Sequence, residues 1–242
     1  TAPLAPKFKI IPEGATTSDT LALGIVSQSK DVDGDPVAYR HQWRLNGEIF
    51  KSDYTIPAKM TKKGQRWSLE LIAQDGQSDG EPGQVEMMIG NTPPVAPVIV
   101  IDDYNPPTDA VVVPRIAVPA SDADGDLVTI KYSWTLVRKK KSQSVKIVGK
   151  DLQPIHTKKG QKWILEARAH DGDVQGNNAK LQFSIRNTAP TKPSISLSSY
   201  LPHTEQTVAV KIDKPSSDKD GDSLHYRYRW FKNQELMSEW AS

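Results

Sequence analysis

Asp31-Val32-Asp33-Gly34-Asp35-Pro36-Val37-Ala38-Tyr39-Arg40-His41-Gln42-Trp43 is the stretch that decides the fold. Its first half is a loop of alternating carboxylates, and its second half alternates apolar with polar residues and ends on a tryptophan. The string D-x-D-G-D returns at Asp122, Asp124, Gly125 and Asp126, and again at Asp218, Asp220, Gly221 and Asp222, with spacings of 91 and 96 residues. In each copy a tryptophan follows the first aspartate by twelve positions, giving Trp43, Trp134 and Trp230. Other blocks keep the same register. T-K-K-G-Q-[RK]-W spans 61–67 and 157–163, A-x-D-G sets Asp75 opposite Asp171, and N-T-P-P at 91–94 matches N-T-A-P at 187–190. Such self-similarity marks a tandem array, with units at 1–91, 92–187 and a partial third at 188–242. Thr1-Ala2-Pro3 opens the first unit in the same way and reads as a cut within a longer exported protein. The five extra residues of the second unit fall between Trp134 and Lys158, where Arg138–Lys141 reads as an enlarged hairpin tip.

Inside each unit the period is two. Val37, Tyr39, His41, Trp43 and Leu45 alternate with polar residues, as do Val128 to Leu136 and Leu224, Tyr226, Tyr228 and Trp230. Alternation of this length predicts a strand with one buried face. Trp67, Leu69, Leu71 and Ala73, with Trp163, Leu165, Ala167 and Ala169, predict a second strand. Val85, Met87 and Ile89, with Leu181, Phe183 and Ile185, predict a third; Leu21–Ile25 and Phe8–Ile10 supply earlier ones. No segment sustains a period of 3.6. About seven short strands per unit, with tryptophan on the third, predict an all-β chain of immunoglobulin-like β-sandwich repeats.

Composition narrows the function classes. Hydrophobic residues make up 37% of the 242, which suits several thin sandwiches better than one large core. Thirty-one Lys+Arg against 29 Asp+Glu leave a net charge of +2, too balanced for a nucleic-acid binder. Cysteine is absent, which removes disulfides, zinc thiolate sites and thiol nucleophiles together. The longest apolar run, around Val95–Ile101, is interrupted by Pro97 and is far short of the roughly 20 residues of a membrane span. No signal peptide is seen, so export is not read from a leader.

With these motifs in place, the chain resembles the immunoglobulin-like and cadherin-like repeats of large bacterial surface proteins. The resemblance rests on D-x-D-G-D-x-[LV]-x-Y-x-x-W-x-x-N-G, which the first unit matches nearly whole (Asp31–Asp35, Val37, Tyr39, Trp43 one residue later than that spacing, then Asn46-Gly47), and on the N-T-A-P linker. The second unit departs from it, with Ile130 in place of the tyrosine and no Asn-Gly turn. It spans all three units but is specific to an architecture. It implies an extracellular structural or cell-adhesion module, a rod whose joints are stiffened by bound ions.

The acidic loops carry the chemistry. In such a sandwich the loop between the second and third strands lies beside the loop between the last two. Asp31, Asp33, Asp35 and Asp75 are then expected at one end of the first unit, and Asp122, Asp124, Asp126 and Asp171 at the same end of the second. The third unit retains Asp218, Asp220 and Asp222. Clustered carboxylates repel, and a hard cation relieves that repulsion; all-oxygen ligands of this number point to Ca²⁺. The glycine permits the tight path that aims alternate carboxylates at one point. An EF-hand is excluded, because its glycine is sixth and its glutamate twelfth, while here glycine is fourth and position twelve is Gln42, Ser133 or Arg229. The competing reading is a set of Asx-turns with no ligand. Asn91 and Asn187 are candidate carbonyl ligands of the following unit; Asp79 and Asp173 are weaker carboxylates.

Other signals carry less. Gly76-Gln77-Ser78-Asp79-Gly80 matches G-x-S-x-G but lies between two strands, and Ser78 aligns with Val174, so a turn is expected. The five histidines share no position and no metal spacing; His170 is the one beside a candidate ligand. With no nucleophile–base pair and no phosphate loop, no enzyme is expected. Lys62, Lys63, Lys158 and Lys159 read as solvated turn residues, and Trp67 and Trp163 as core residues ahead of a sugar-stacking platform. The third unit lacks its last strands, so a neighbouring copy completing it by β-augmentation is one expected partner. Neighbouring repeats of the parent chain, a cell-surface protein and a glycan are others. The alternatives to the calcium-stiffened adhesive rod are a filament subunit built by strand exchange and a glycan-binding accessory module of a secreted enzyme.

Overall fold

The computed structural model describes residues 1–50, 54–138 and 145–238. Lys139, Lys140 and Lys141 of the expected hairpin tip lie outside them.

Repeat 1 is a seven-strand sandwich. β1 (Lys7–Ile11), β2 (Leu21–Ser27) and β5 (Thr55–Ile56) form one sheet in the order β1-β2-β5. β3 (Ala38–Leu45), β4 (Glu48–Phe50), β6 (Arg66–Gln74) and β7 (Gly83–Met88) form the other in the order β4-β3-β6-β7, with every pairing antiparallel. Three strands against four, with the chain crossing between sheets, is the immunoglobulin-like arrangement. The period-two stripes explain it. Trp43, Trp67, Leu69, Leu71 and Ala73 are 0% exposed, and Ile10, Leu21 and Ile56 of the opposite sheet share one core with Trp43, Trp67 and Leu69. Trp43 meets Trp67 edge to face at 6.4 Å between ring centroids, and Phe50 meets Trp67 at 4.9 Å.

Repeat 2 follows the same plan. β8 (Val98–Val100) pairs with β9 (Arg115–Val118), while β10 (Thr129–Leu136), β11 (Lys146–Val148), β12 (Lys162–His170) and β13 (Gln175–Ser184) form a sheet ordered β11-β10-β12-β13. Trp134 and Trp163 are buried, and Trp134 packs edge to face on Phe183 at 5.9 Å. Burial of Trp67 and Trp163 leaves neither ring free to stack on a sugar.

The structure also explains why T-K-K-G-Q-[RK]-W repeats. Thr61 and Thr157 are buried and their hydroxyls close short 3-10 turns on Ala58 O and Pro154 O. Gln65 Oε1 accepts from Lys62 N–H (2.8 Å) and from the Trp67 indole (3.2 Å); Gln161 repeats both bonds with Lys158 and Trp163. One glutamine thereby satisfies a turn amide and the polar edge of a core tryptophan, the pairing a buried indole needs.

The chain packs as two compact units. One contains Thr1–Val98, Ala117–Lys131 and Ala167–Ala179, so repeat 1 packs with the acidic tip of repeat 2. The other contains Ile99–Ile116, Tyr132–Glu166 and Lys180–Ser242. In the first unit Pro94 O lies 1.9 Å from where a Cβ on Gly176 would stand, and Pro3 O lies 2.4 Å from that of Gly80. Glycine is required at both places because the entering linker runs against the hairpin following β6 or β12.

The third repeat departs from expectation. β14 (Ser194–Leu197) pairs with β15 (Val210–Lys214), and β16 (Phe231–Lys232) with β17 (Glu235–Leu236). The alternating stretch Leu224–Trp230 forms no strand. Its counterparts β3 and β10 each lie between two partners, and the described residues hold no third-repeat equivalent of β6 or β12. In place of a continuous ladder Tyr228 makes an isolated bridge, and Trp230 bonds the turn that follows it, its carbonyl accepting from Met237 N–H at 2.8 Å and its N–H donating to the Ser238 hydroxyl at 3.3 Å. Trp230 is accordingly only half-buried.

Candidate metal centres

Strand pairing brings the two acidic loops to one end. Ala38, at the start of β3, faces Gln74, at the end of β6, so the loop entering β3 and the loop leaving β6 meet. Each D-x-D-G-D turns on its first aspartate. Asp122 Oδ1 accepts from Asp124 N (2.8 Å) and Asp126 N (3.2 Å), and Asp218 Oδ1 from Asp220 N (2.8 Å) and Asp222 N (3.0 Å). Asp31 does the same with Asp33 N (2.8 Å) and Asp35 N (3.4 Å). The glycine takes φ of +84°, +81° and +76° in the three loops, the left-handed conformation that favours a residue without Cβ. The Asx-turn chemistry is therefore present, and it uses one carboxylate oxygen only.

The second oxygen is left over. Asp31 Oδ2, Asp122 Oδ2 and Asp218 Oδ2 are all buried without a hydrogen-bond partner. Asp122, Asp124 and Asp126 each offer an oxygen within 4.8 Å of the others, and so do Asp218, Asp220 and Asp222. These two groups are the carboxylate clusters of ion-holding size among the described residues. Asn91 Oδ1 is likewise buried and unpartnered, while its Nδ2 donates to Asp171 Oδ2 at 2.7 Å. Asn187 is exposed, with Nδ2 on Thr188 O at 3.0 Å.

Asp171 does not belong to the Asp122 group. Its carboxylate takes Val174 N–H (2.7 Å), Asp173 N–H (2.8 Å) and Asn91, and these donors, the Val174 amide foremost, hold its pKa down to about 2. Asp75 is similarly engaged by Ser78 N–H, Gln77 N–H and the Ser78 hydroxyl, which lower it. Gly76–Gly80 is thus a turn in which Ser78 serves a carboxylate. In repeat 1 Asp33 is taken by the Thr1 ammonium, which lowers its pKa while nearby Asp75 opposes the shift. Asp79 pairs with Arg40 at 2.8 Å, and His170 Nδ1 accepts from Gly172 N–H at 2.9 Å.

Three further sets of residues reach the acidic loops at the joints, and none of them was assigned to the sites from sequence. Thr92 N–H donates to Asp124 Oδ2 and Thr188 N–H to Asp220 Oδ2, both at 2.7 Å and both across 32 residues. The Thr1–Asp33 contact also spans 32. Thr17 Oγ1 donates to Asp124 Oδ1 at 2.7 Å and meets Thr92 Oγ1 at 2.6 Å; Thr108 repeats this with Thr188 at 2.7 Å and bonds Asp220. The Thr188 amide, then the Thr108 hydroxyl, lower Asp220. Lys63 Nζ bonds Asp126 (2.8 Å) and Asp173 (2.6 Å), and Lys159 bonds Asp222, each lysine 63 residues before its D-x-D-G-D partner. Asp126, then Asp173, raise the Lys63 pKa. These two lysines correct the expectation of solvated turns: the turn backbone is exposed, but the second lysine of each T-K-K-G reaches the next repeat. Their constant 63-residue offset is the signal a repeat alignment contains.

No protein-family model matches the chain. No curated protein matches it either. Among solved structures it is similar to the FN1–FN3 domains of chicken CNTN1 (12% identity, TM-score 0.31, covering 89% of this chain and 88% of that one). It is also similar to a two-domain fibronectin type III segment of chicken tenascin (14%, TM-score 0.33, covering 76% and 99%). A third is the chicken interferon gamma receptor alpha chain (9%, TM-score 0.40, covering 77% and 98%). At TM-scores below 0.5 the fold rests on the strand pairing above. No helix among the described residues is long and apolar enough to cross a membrane.

Proposed function

We propose that the chain is a non-catalytic extracellular module whose immunoglobulin-like repeats are joined and stiffened by Ca²⁺ at their acidic tips, as part of a bacterial surface or adhesion protein. The observation behind this is the buried, unpartnered Oδ2 of the first aspartate in all three loops. A buried carboxylate oxygen without a donor is costly, and its removal from water is tolerated when a cation takes its place. Asp122, Asp124 and Asp126 supply a hard oxygen set of the kind Ca²⁺ accepts. Asp218, Asp220 and Asp222 repeat it, and Asp31, Asp33, Asp35 and Asp75 form the corresponding tip of repeat 1. An ion there would tie the linker residue Thr92 to the loop it already touches, limiting bending between repeats.

Calorimetric titration of the chelator-treated chain with Ca²⁺, and with Mg²⁺ in parallel, tests this. Saturable binding of Ca²⁺ with a rise in melting temperature is expected, because a ligand bound to the folded state alone stabilises it. Absence of both at millimolar Ca²⁺ refutes the metal assignment.

A second reading is favoured by one feature of repeat 3. Ile195, Ile212, Phe231 and Leu236 are exposed on sheets that have two strands each among the described residues, and Leu201, in the loop between β14 and β15, is 94% exposed. A neighbouring copy supplying strands would cover them and make a filament subunit. Sedimentation across a hundredfold concentration range separates the two: a concentration-independent monomer excludes strand exchange.

A further inference from the structure

Each joint contains a cation that belongs to the protein itself. Lys63 comes from the T-K-K-G turn of repeat 1 and bridges Asp126, the last carboxylate of the repeat 2 loop, and Asp173, from the loop after β12. Lys63 and Asp126 are only 34% and 33% exposed, so the pair is partly shielded from water. Lys159 makes the equivalent contact to Asp222 of repeat 3. The neighbouring Lys62 and Lys158 occupy a different position, where their amides donate to Gln65 and Gln161. Two joints with the same lysine, the same acceptor and the same spacing are a built feature and not a chance surface pair.

We infer that Lys63 and Lys159 latch the two joints when no metal is bound, and that a divalent ion recruiting Asp126 or Asp222 has to displace them. The second half rests on the calcium assignment; the first does not. A Lys63 ammonium cannot share one carboxylate oxygen with Ca²⁺ without strong repulsion, so the two cations compete for Asp126, while Asp122 Oδ2 remains free for the ion alone. The joint therefore has two closed states, one held by an internal ammonium and one by an external divalent ion. Loss of calcium returns it to the latch instead of leaving three carboxylates to repel.

Amide exchange of the full chain in chelator, followed by NMR, reads the latch directly, because Thr92 N–H and Thr188 N–H bond the middle aspartates of the two loops. Lys63→Met is expected to speed exchange at Thr92 by about two- to fivefold, the range for losing an exposed to half-exposed ion pair, and to leave Thr188 unchanged. Lys159→Met gives the reverse. Lys62→Met removes the same charge without the contact and changes neither. Wild-type exchange at Thr92 in Lys63→Met, or equal acceleration in Lys62→Met, overturns the latch. In a second arm, Ca²⁺ titration shows tighter binding for Lys63→Met than for Lys62→Met; equal affinities overturn the competition. If none of the proteins binds Ca²⁺, the calcium assignment and the competition fail together, and the exchange arm alone decides the latch.

Discussion

Asp122→Asn is the most discriminating single substitution, because its effect changes sign with calcium. Asn keeps the Oδ1 acceptor that holds Asp124 N–H and Asp126 N–H, so the turn survives. What changes is Oδ2, buried with no donor, on a carboxylate that has an oxygen within 4.8 Å of oxygens of Asp124 and Asp126. Two charges at that distance repel by about 0.9 kcal/mol at the dielectric of water and about 3.5 kcal/mol at an effective value of 20. The Lys63, Thr17 and Thr92 donors offset part of this, so removing the charge in chelator should stabilise the chain by about 1 kcal/mol or leave it unchanged. For a chain of this size 1 kcal/mol corresponds to about 2–4 °C in melting temperature. In calcium the same substitution removes a ligand. A wild-type site at a hundred times its Kd gains about 2.7 kcal/mol, and joint 1 of the variant should forfeit most of that. Differential scanning calorimetry of both proteins in chelator and in calcium gives four numbers. The wild type should gain from calcium more than the variant does, and the variant should melt no lower than wild type in chelator. A variant that melts several degrees lower in both conditions would show that Asp122 acts only as a turn former, and the metal reasoning would fall.

Two further outcomes are expected. Gly176→Ala forces a Cβ into Pro94 O at 1.9 Å, and the backbone shift should cost about 1–3 kcal/mol, read as a lower urea midpoint; an unchanged midpoint would show that the linker is not held against this hairpin. Acid should loosen the joint. Asp171 is held at about 2, below its ordinary 3.8, so its contribution is complete above about pH 4 and is lost as pH falls towards 2; Asp75 and Asp220, lowered in the same way, act in the same direction. Melting temperature between pH 5 and 2.5 measures this, and Asn91→Ala should make the decline shallower by removing one of the donors to Asp171. A decline of wild-type steepness in that variant would refute the Asn91 contribution.

The sandwich was legible because burial writes itself into sequence locally. Alternation about Trp43 and Trp134 marks a strand with one wet face, and those two rings are 0% exposed. Trp230 shows the limit of that signal. The same alternation precedes it, yet no strand forms, because a strand is completed by neighbours and not by its own pattern. At the tips, aspartate spacing identified which carboxylates gather, and Asp122, Asp124 and Asp126 do so. It did not separate Asp171 from them, since its engagement by Asn91 and Val174 depends on how a linker and a hairpin meet.

Repetition thus determined from sequence alone the period, the acidic loop of each unit and the sandwich of the first two, because these follow from side-chain alternation and turn chemistry within a few residues. Which oxygens are satisfied and which are orphaned, and that Lys63, Thr17 and Thr92 close on the next repeat's aspartates, was decided by tertiary structure. Hydrogen bonds and ion pairs form between groups 32 to 110 residues apart, and only packing fixes the ångströms that separate a solvated lysine from a latch.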